Sequence, residues 1–527
     1  MKSRKNALIL ALSCFALIGL AGCGGGGDDG PQEPPEPQFE VDEDIEFDED
    51  GRGYFDNVEI NLWAVGGDPD ASTMDRLIAN FNKKYAGEIM VKCTHVNEEN
   101  YYTQLDTTWR TDPDELPDFL WVHNTKISLY AGKTKQYLLP LTDSLLEQAH
   151  SKFDFTTAYE NIDRTNILNG TRYGIPIDSH GFLTYIRQDI IKKNELGFDN
   201  NTRFIPHSKT EYQGLLKGLK DKAQAGTLLT RTINKGQDHA WRTAGTSFGS
   251  SFVQSSDPDG LSALYANGGR LMDEAQERIT FQENSGFVNY VVDEVNNFNA
   301  GRIIDGTNTA LFGTGDTVMF SEGPWWSASN YEPNFNNTEL RSANEGLHIT
   351  QEEANDPVYS RPLTASHPIG WWTNPENEGL ETAHSWYGLG HSIALINKSK
   401  VKLSMVAAVL EYAKWFALEQ TNGEYNLATW ATSGHVPAWK EVYESESYKK
   451  VEAASATLRG IGNPEDIIGG EPLTYQDTVF NGFQSVILSV QSAMLGDGCT
   501  EAKARELINT GAEGLQLAID QLKFLED

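Results

Sequence analysis

The segment VEINLWAVGGDPDASTMDRLIANFNKKYAGEIMVKCTHV, residues 58–96, decides the fold class. Val58 to Ala64 alternates and is rich in strand formers, so it reads as a first strand. Gly66-Gly67-Asp68-Pro69 ends that strand as a loop. Ser72 or Thr73 is placed to cap a helix running through Tyr85, with Leu77, Ile78, Phe81 and Tyr85 on one face. Glu88 to Val96 reads as the next strand.

The pattern continues outward. Asn100 to Arg110 reads as a helix. Asp118 to Val122, after Pro117, is a short apolar run that suits a buried parallel strand. Alternating strands and helices imply an α/β body with a largely parallel sheet. Ligands in such sheets sit beyond the carboxyl ends of the strands. The loops Gly66–Asp68, His123–Thr125 and Asp178–His180 are therefore the candidate binding loops.

The chain has twelve tryptophans and twenty tyrosines. Several sit in glycine-rich, loop-like contexts: Trp325-Trp326 after Gly323-Pro324, Trp371-Trp372 after Gly370, and Trp386-Tyr387 before Gly388. Paired aromatics in loops line clefts more readily than cores. A sugar ring offers an apolar C–H face and a polar hydroxyl rim. It calls for flat aromatic rings together with Asp, Asn, His or Arg, and both types are interleaved here.

At the N-terminus, Lys2, Arg4 and Lys5 precede an apolar run from Ala7 to Leu20. This is a secretory signal, too short for a resident span. Leu20-Ala21-Gly22-Cys23 resembles a bacterial lipobox, which implies cleavage before Cys23 and a membrane anchor through its acylated thiol. Gly24 to Gly27, four prolines between Pro31 and Pro37, and an acidic run follow. Residues 28–56 hold thirteen acids and one base, Arg52. Such a segment buries too little apolar surface to order itself.

The formal net charge is −33 over 527 residues. The leash accounts for about a third of it, so the body is itself acidic, which disfavours nucleic acid as a partner. From Asn57 onward the chain is long enough for two lobes. Only Cys93 and Cys499 could pair in the mature body. Nothing in the spacing of the cysteines, or of His95, His123 and His150, suggests a metal, so neither metal nor cofactor is expected. Gly245-Thr246-Ser247-Phe248-Gly249 matches the nucleophile elbow of hydrolases, but Gly236 to Ala244 does not read as the buried strand that elbow needs.

Several segments together resemble family 1 extracellular solute-binding proteins, the receptors of carbohydrate ABC importers. They are Ile60–Trp63, Leu116–Trp121, Tyr137–Asp143, Tyr173–Pro176 with Tyr185 and Asp189, Asn267–Asp273, Thr317–Trp326, Gly388–Lys398, and Ser433–Ala438. They occur in the family's order along nearly the whole mature chain. The chain departs from the pattern in extra length between Tyr331 and Ser385, in Asp178-Ser179-His180 and Ile186-Arg187, and in a first loop without the lysine found in relatives.

The resemblance implies a type II periplasmic-binding-protein-like fold. Each lobe would hold a mostly parallel sheet flanked by helices, and the chain would cross the hinge more than once. On that basis residues 1–22 are the signal and 23–56 the linker. Residues 57–179 with 388–433 form one lobe, and 180–387 with 434–527 the other. Implied ligand contacts are Asp68, His123, Asn124 and Asp178 on one side and Phe248, Trp325, Trp326 and Phe483 on the other. His180 belongs to the crossover, and Trp386, Tyr387 and His391 would form the rim or hinge. The implied partners are a carbohydrate, ABC permease subunits and, through Cys23, a membrane, with the protein itself a monomer and not an enzyme. A non-transport sugar sensor and a secreted carbohydrate-active hydrolase remain as alternatives. Cys93 and Cys499 would fall on different lobes and stay as thiols.

Overall fold

The structure is a computed structural model. It describes residues 39–526 apart from 41–45, 48–52, 133–134, 152, 198–203, 235–236, 246–247, 250, 253–256, 305–309, 325–349, 361, 367–371, 399 and 497. The lipobox and signal, with Cys23, therefore lie outside the described residues, as do Trp325 and Trp326. Among the described residues no helix is long and apolar enough to cross a membrane.

The opening segment folds as strand Val58–Val65, helix Asp70–Lys84 and strand Ile89–Val96. The helix starts earlier than Ser72. Asp68 supplies the first side-chain acceptor, its Oδ1 receiving the Ser72 N–H at 3.3 Å. Helix Glu98–Thr111 and strand Phe119–His123 follow. Strand Val58–Val65 pairs in parallel with both Ile89–Val96 and Phe119–His123. The returning strand His391–Leu395 then adds to Phe119–His123 antiparallel, and Ile175–Pro176 closes the other edge. Helix Leu403–Leu418 carries thirteen buried residues and packs on Val58–Val65. It is apolar nearly all round because the sheet covers one face and other helices the rest.

A second sheet of three strands places Leu183–Arg187 between Met319–Glu322 and Leu363–Ser366. Both pairings are antiparallel. The expected parallel arrangement therefore holds for the first three strands of the larger sheet and not for this one. Leu363–Ser366 falls in the stretch between Tyr331 and Ser385, where extra length is expected, and serves as a sheet edge. Asp189, just beyond the central strand, is fully buried between two arginines. It accepts from Arg187 Nε and Nη2 at 2.9 and 3.0 Å and from Arg231 Nε at 2.8 Å.

Between these sheets lies a small one in the order Val436–Pro437, Asp178–Gly181, Trp386–Leu389, Ile467–Ile468. Its strands are drawn from three distant parts of the chain. Cys93 and Cys499 are both free thiols.

Candidate functional site

The strands of the larger sheet and of the small sheet end at one cavity of about 570 Å³. The loop after the first strand enters it at Gly66 to Asp70, as the parallel order of those strands requires. Strand register brings His123 opposite His391. Their rings stack with centroids 5.2 Å apart. Gly390, which separates Trp386–Leu389 from His391–Leu395, sits where a Cβ would meet Asp178 O at 2.1 Å. Only glycine lets the two strands approach there. His435 follows Gly434, whose φ of 106° is the left-handed cap of a short helical turn.

The polar core of the site is built on Asp178, which is completely buried. Its Oδ1 accepts the His391 backbone N–H at 2.9 Å, and its Oδ2 lies 3.0 Å from His391 Nδ1. Trp430 Nε1 donates to the same Oδ2 at 2.5 Å. Burial alone would raise the Asp178 pKa, but His391 and His435 outweigh it and hold the carboxyl well below its usual range. His435 contacts His180 (Nδ1 to Nδ1, 3.0 Å) and Asp70 (Nε2 to Oδ1, 3.1 Å). Burial works against a charged His435, yet Asp178 and Asp70 prevail and raise its pKa. Burial brings His180 down to about 4. The short His435–His180 contact thus joins the more basic ring to the less basic one.

His123 is set differently. Tyr102 OH accepts the His123 backbone N–H at 3.3 Å and lies 2.6 Å from its Nδ1. The hydroxyl proton is then free to go to Nδ1, which leaves the ring proton on Nε2. Burial, followed by the His391 and His180 rings, holds His123 well below the normal imidazole range. The ring therefore faces the cavity as a neutral donor.

The opposite wall is helix Gln476–Leu495. Gln476, Asp477, Phe480, Asn481 and Gln484 line the cavity from one face of it. Asp477 Oδ1 accepts from Lys126 Nζ at 2.8 Å, which ties this helix to the loop after His123. Three aromatic rings border the space, Phe182, Tyr387 and Phe480. Those of Tyr387 and Phe480 are 5.8 Å apart.

The sequence-derived candidates divide accordingly. Asp68, His123, His180, Tyr387 and His391 line the cavity. Asp178 supports it from beneath. Asn124 does not line it. Its backbone N–H donates to Gly390 O at 2.8 Å and its Oδ1 accepts from Gly390 N–H at 3.2 Å, clamping that turn. Trp386 is fully buried in the core. Phe248 and Phe483 are also core residues, not cavity residues. Phe483 packs edge-on against Phe281 at 5.1 Å. It is on the wrong side of its helix, whereas Phe480, three residues earlier, faces the cavity. Spacing to Gly496 identified the helix but not its rotation. Asp70, Lys126, Phe182, Phe480 and His435 were missed. The signal that could have found Phe480 is its helical spacing with the polar Gln476, Asp477, Asn481 and Gln484, off the apolar face of Val479, Phe483 and Val490.

In the hydrolase-like motif, Thr246 and Ser247 lie outside the described residues. The element before it, Arg242–Thr243, is an exposed two-residue strand, unlike the buried strand a nucleophile elbow requires.

The fold matches that of solved solute-binding receptors. The sugar-binding protein MalE from Xanthomonas citri aligns with a TM-score of 0.62 at 17% identity, covering 89% of this chain and 100% of that one. The GacH receptor of Streptomyces glaucescens, solved unliganded and with acarbose, aligns with a TM-score of 0.61 at 14% identity, covering 87% and 98%. UgpB from Mycobacterium tuberculosis, in complex with glycerophosphocholine, aligns at 0.59 and 12% identity, covering 88% and 99%. At these identities the likeness concerns the fold, a two-lobed solute-binding architecture. A search of curated protein sequences finds no match. Residues 76–456 match the profile of the bacterial extracellular solute-binding proteins, and the chain belongs to that family.

Proposed function

We propose that the protein captures a carbohydrate, most simply an oligosaccharide, in this cavity and delivers it to the permease of an ABC importer. The observation that carries the reading is the lining itself. Phe182, Tyr387 and Phe480 offer flat apolar surface, and Asp68, His123 and Asn481 stand among them as hydroxyl partners. That combination suits a ring with an apolar face and a polar rim. The sugar-binding relatives with this fold support it. The carboxylates of Asp68, Asp70, Glu98 and Asp477 around the cavity favour a neutral ligand over a phosphodiester.

In this reading residues 57–179 with 388–433 form one lobe and 180–387 with 434–527 the other. They close on the ligand about the small central sheet. The chain works as a monomer, anchored outside the cell membrane through acylated Cys23, and leaves its ligand intact. A thermal-shift screen of neutral glycans, with glycerophosphocholine included, tests the proposal, because a ligand that binds only the folded state raises its stability. Calorimetry on hits and chromatography of the recovered ligand complete the test. Stabilisation by glycerophosphocholine and by no glycan would replace the carbohydrate, and steady cleavage of a glycan would replace the receptor with an enzyme.

A further inference from the structure

Asp178, His180, His391 and His435 are separated by up to most of the body's sequence, yet they meet at the cavity's inner wall. All four are buried, none more than 4% exposed. One ligating atom from each lies within 4.8 Å of every other. Asp178 Oδ1 is 3.2 Å from His391 Nδ1, 3.7 Å from His180 Nδ1 and 3.8 Å from His435 Nδ1. His180 Nδ1 and His435 Nδ1 are 3.0 Å apart. A tetrahedral ion with bonds of about 2.0–2.1 Å spaces its ligand atoms about 3.3 Å apart. Four of the six separations bracket that value and all six lie within 4.8 Å, so an ion would draw the widest pair in by up to about 1.5 Å.

The surroundings have the form that metal ligands require. A ligating imidazole usually turns its second nitrogen to a carboxylate, which fixes the ring. His435 does this through Nε2, 3.1 Å from Asp70 Oδ1. Asp178 is held by Trp430 Nε1 on Oδ2 and by the His391 backbone N–H on Oδ1, and Oδ1 also faces the three rings. Three of the four ligands are also placed by strand backbone. Asp178 and His180 share one strand, and His391 opens another.

We propose that Asp178, His180, His391 and His435 bind one divalent transition-metal ion of the zinc class. Three imidazole nitrogens and one carboxylate oxygen suit zinc, cobalt or nickel, and not the all-oxygen shells of calcium and magnesium. His180, His391 and His435 also line the cavity, so the ion borders the space a solute fills. The proposal rests on these side chains alone and stands apart from the carbohydrate reading.

The test uses the untagged chain, stripped with a chelator and titrated with Zn²⁺ alone by calorimetry. One ion per chain is expected. His180→Gln and His435→Gln should each weaken binding by on the order of a hundredfold, while His150→Gln and His207→Gln, outside the cluster, should leave it unchanged. X-ray absorption of the wild-type zinc complex needs no variant, and it should show three imidazoles and a short oxygen ligand. Cobalt in place of zinc should give the strong visible bands of a four-coordinate site. Substoichiometric binding by the wild type overturns the proposal. So do affinities unchanged in both cluster variants, or an absorption spectrum with fewer than three imidazoles.

Discussion

Asp189→Asn isolates the buried charge cluster beside the second sheet. In the native chain one carboxylate serves two fully buried guanidiniums, Arg187 and Arg231. Arg231 retains a second carboxylate, Glu353, at 3.6 Å. Among the described residues Arg187 keeps only carbonyl acceptors, Phe312 O and Arg231 O, both at 2.8 Å. Removing one partner of a buried ion pair costs about 3–5 kcal/mol, because the other charge stays desolvated. Arg187 bears most of that here, so about 4 kcal/mol is expected. With an m-value of about 3 kcal/mol/M, the urea midpoint should fall by roughly 1.3 M at unchanged m. Burial opposes ionisation of Asp189, but Arg187 and Arg231 outweigh it and hold its pKa below the usual value. A depressed carboxylate stabilises fully above its unfolded pKa of about 3.9, and that contribution is lost as pH falls through the folded value. The gap between wild type and variant should therefore be flat near neutrality and narrow below about pH 4. Replacing all three with apolar residues, Arg187→Met, Asp189→Leu and Arg231→Met, should recover much of the loss. A midpoint shift below about 0.3 M for Asp189→Asn at unchanged m would refute the reasoning.

Phe480→Ala should weaken glycan binding by roughly tenfold in calorimetry, with little change in melting, since its ring borders the cavity. Phe483→Ala should do the reverse, costing about 3–5 kcal/mol of stability through a core cavity. Equal effects of the two on affinity would reject the assigned helix rotation. Tyr102→Phe removes the proton donor to His123 Nδ1 and should lower glycan affinity about fivefold while circular dichroism is unchanged. Cys23→Ala should leave the chain unprocessed or released from membranes on fractionation, and a cleaved yet membrane-bound variant would end the lipoprotein reading.

The opening strand–helix–strand unit was legible because alternation and helical periodicity are local. Its helix began at Asp70 because Asp68, not Ser72 or Thr73, supplies the first side-chain acceptor. The antiparallel second sheet was not legible, since pairing direction depends on which distant strands become neighbours. His123 and His180 were legible as loop residues beyond strand ends. Asp70 and His435 were not, because their meeting depends on a left-handed glycine and on a helix start far away in sequence. Absent ligand spacing among His95, His123 and His150 says nothing about His180, His391 and His435, which converge only through the small crossing sheet. Trp386 shows the opposite error. Its loop-like, glycine-rich neighbourhood suggested a cleft, but the indole is fully buried, and a glycine distant in sequence makes room for it. A Cβ on Gly181 would lie 2.1 Å from Trp386 Cζ3.

The cavity wall is drawn from the loop at Gly66, the end of the third strand at His123, the crossover at His180, the return at Tyr387, and finally the helix at Gln476. No contiguous fragment holds more than part of it. Closing such long loops costs chain entropy before any contact repays it, which makes the site a late event in folding. A chain still being made lacks its far wall until the helix from Gln476 has emerged and docked. Loss of that helix by proteolysis should abolish solute capture while the sheet from Val58 to Leu395 retains most of its own pairings. Binding competence is thus a report that the polypeptide has been made through the helix from Gln476 and that this helix has folded back.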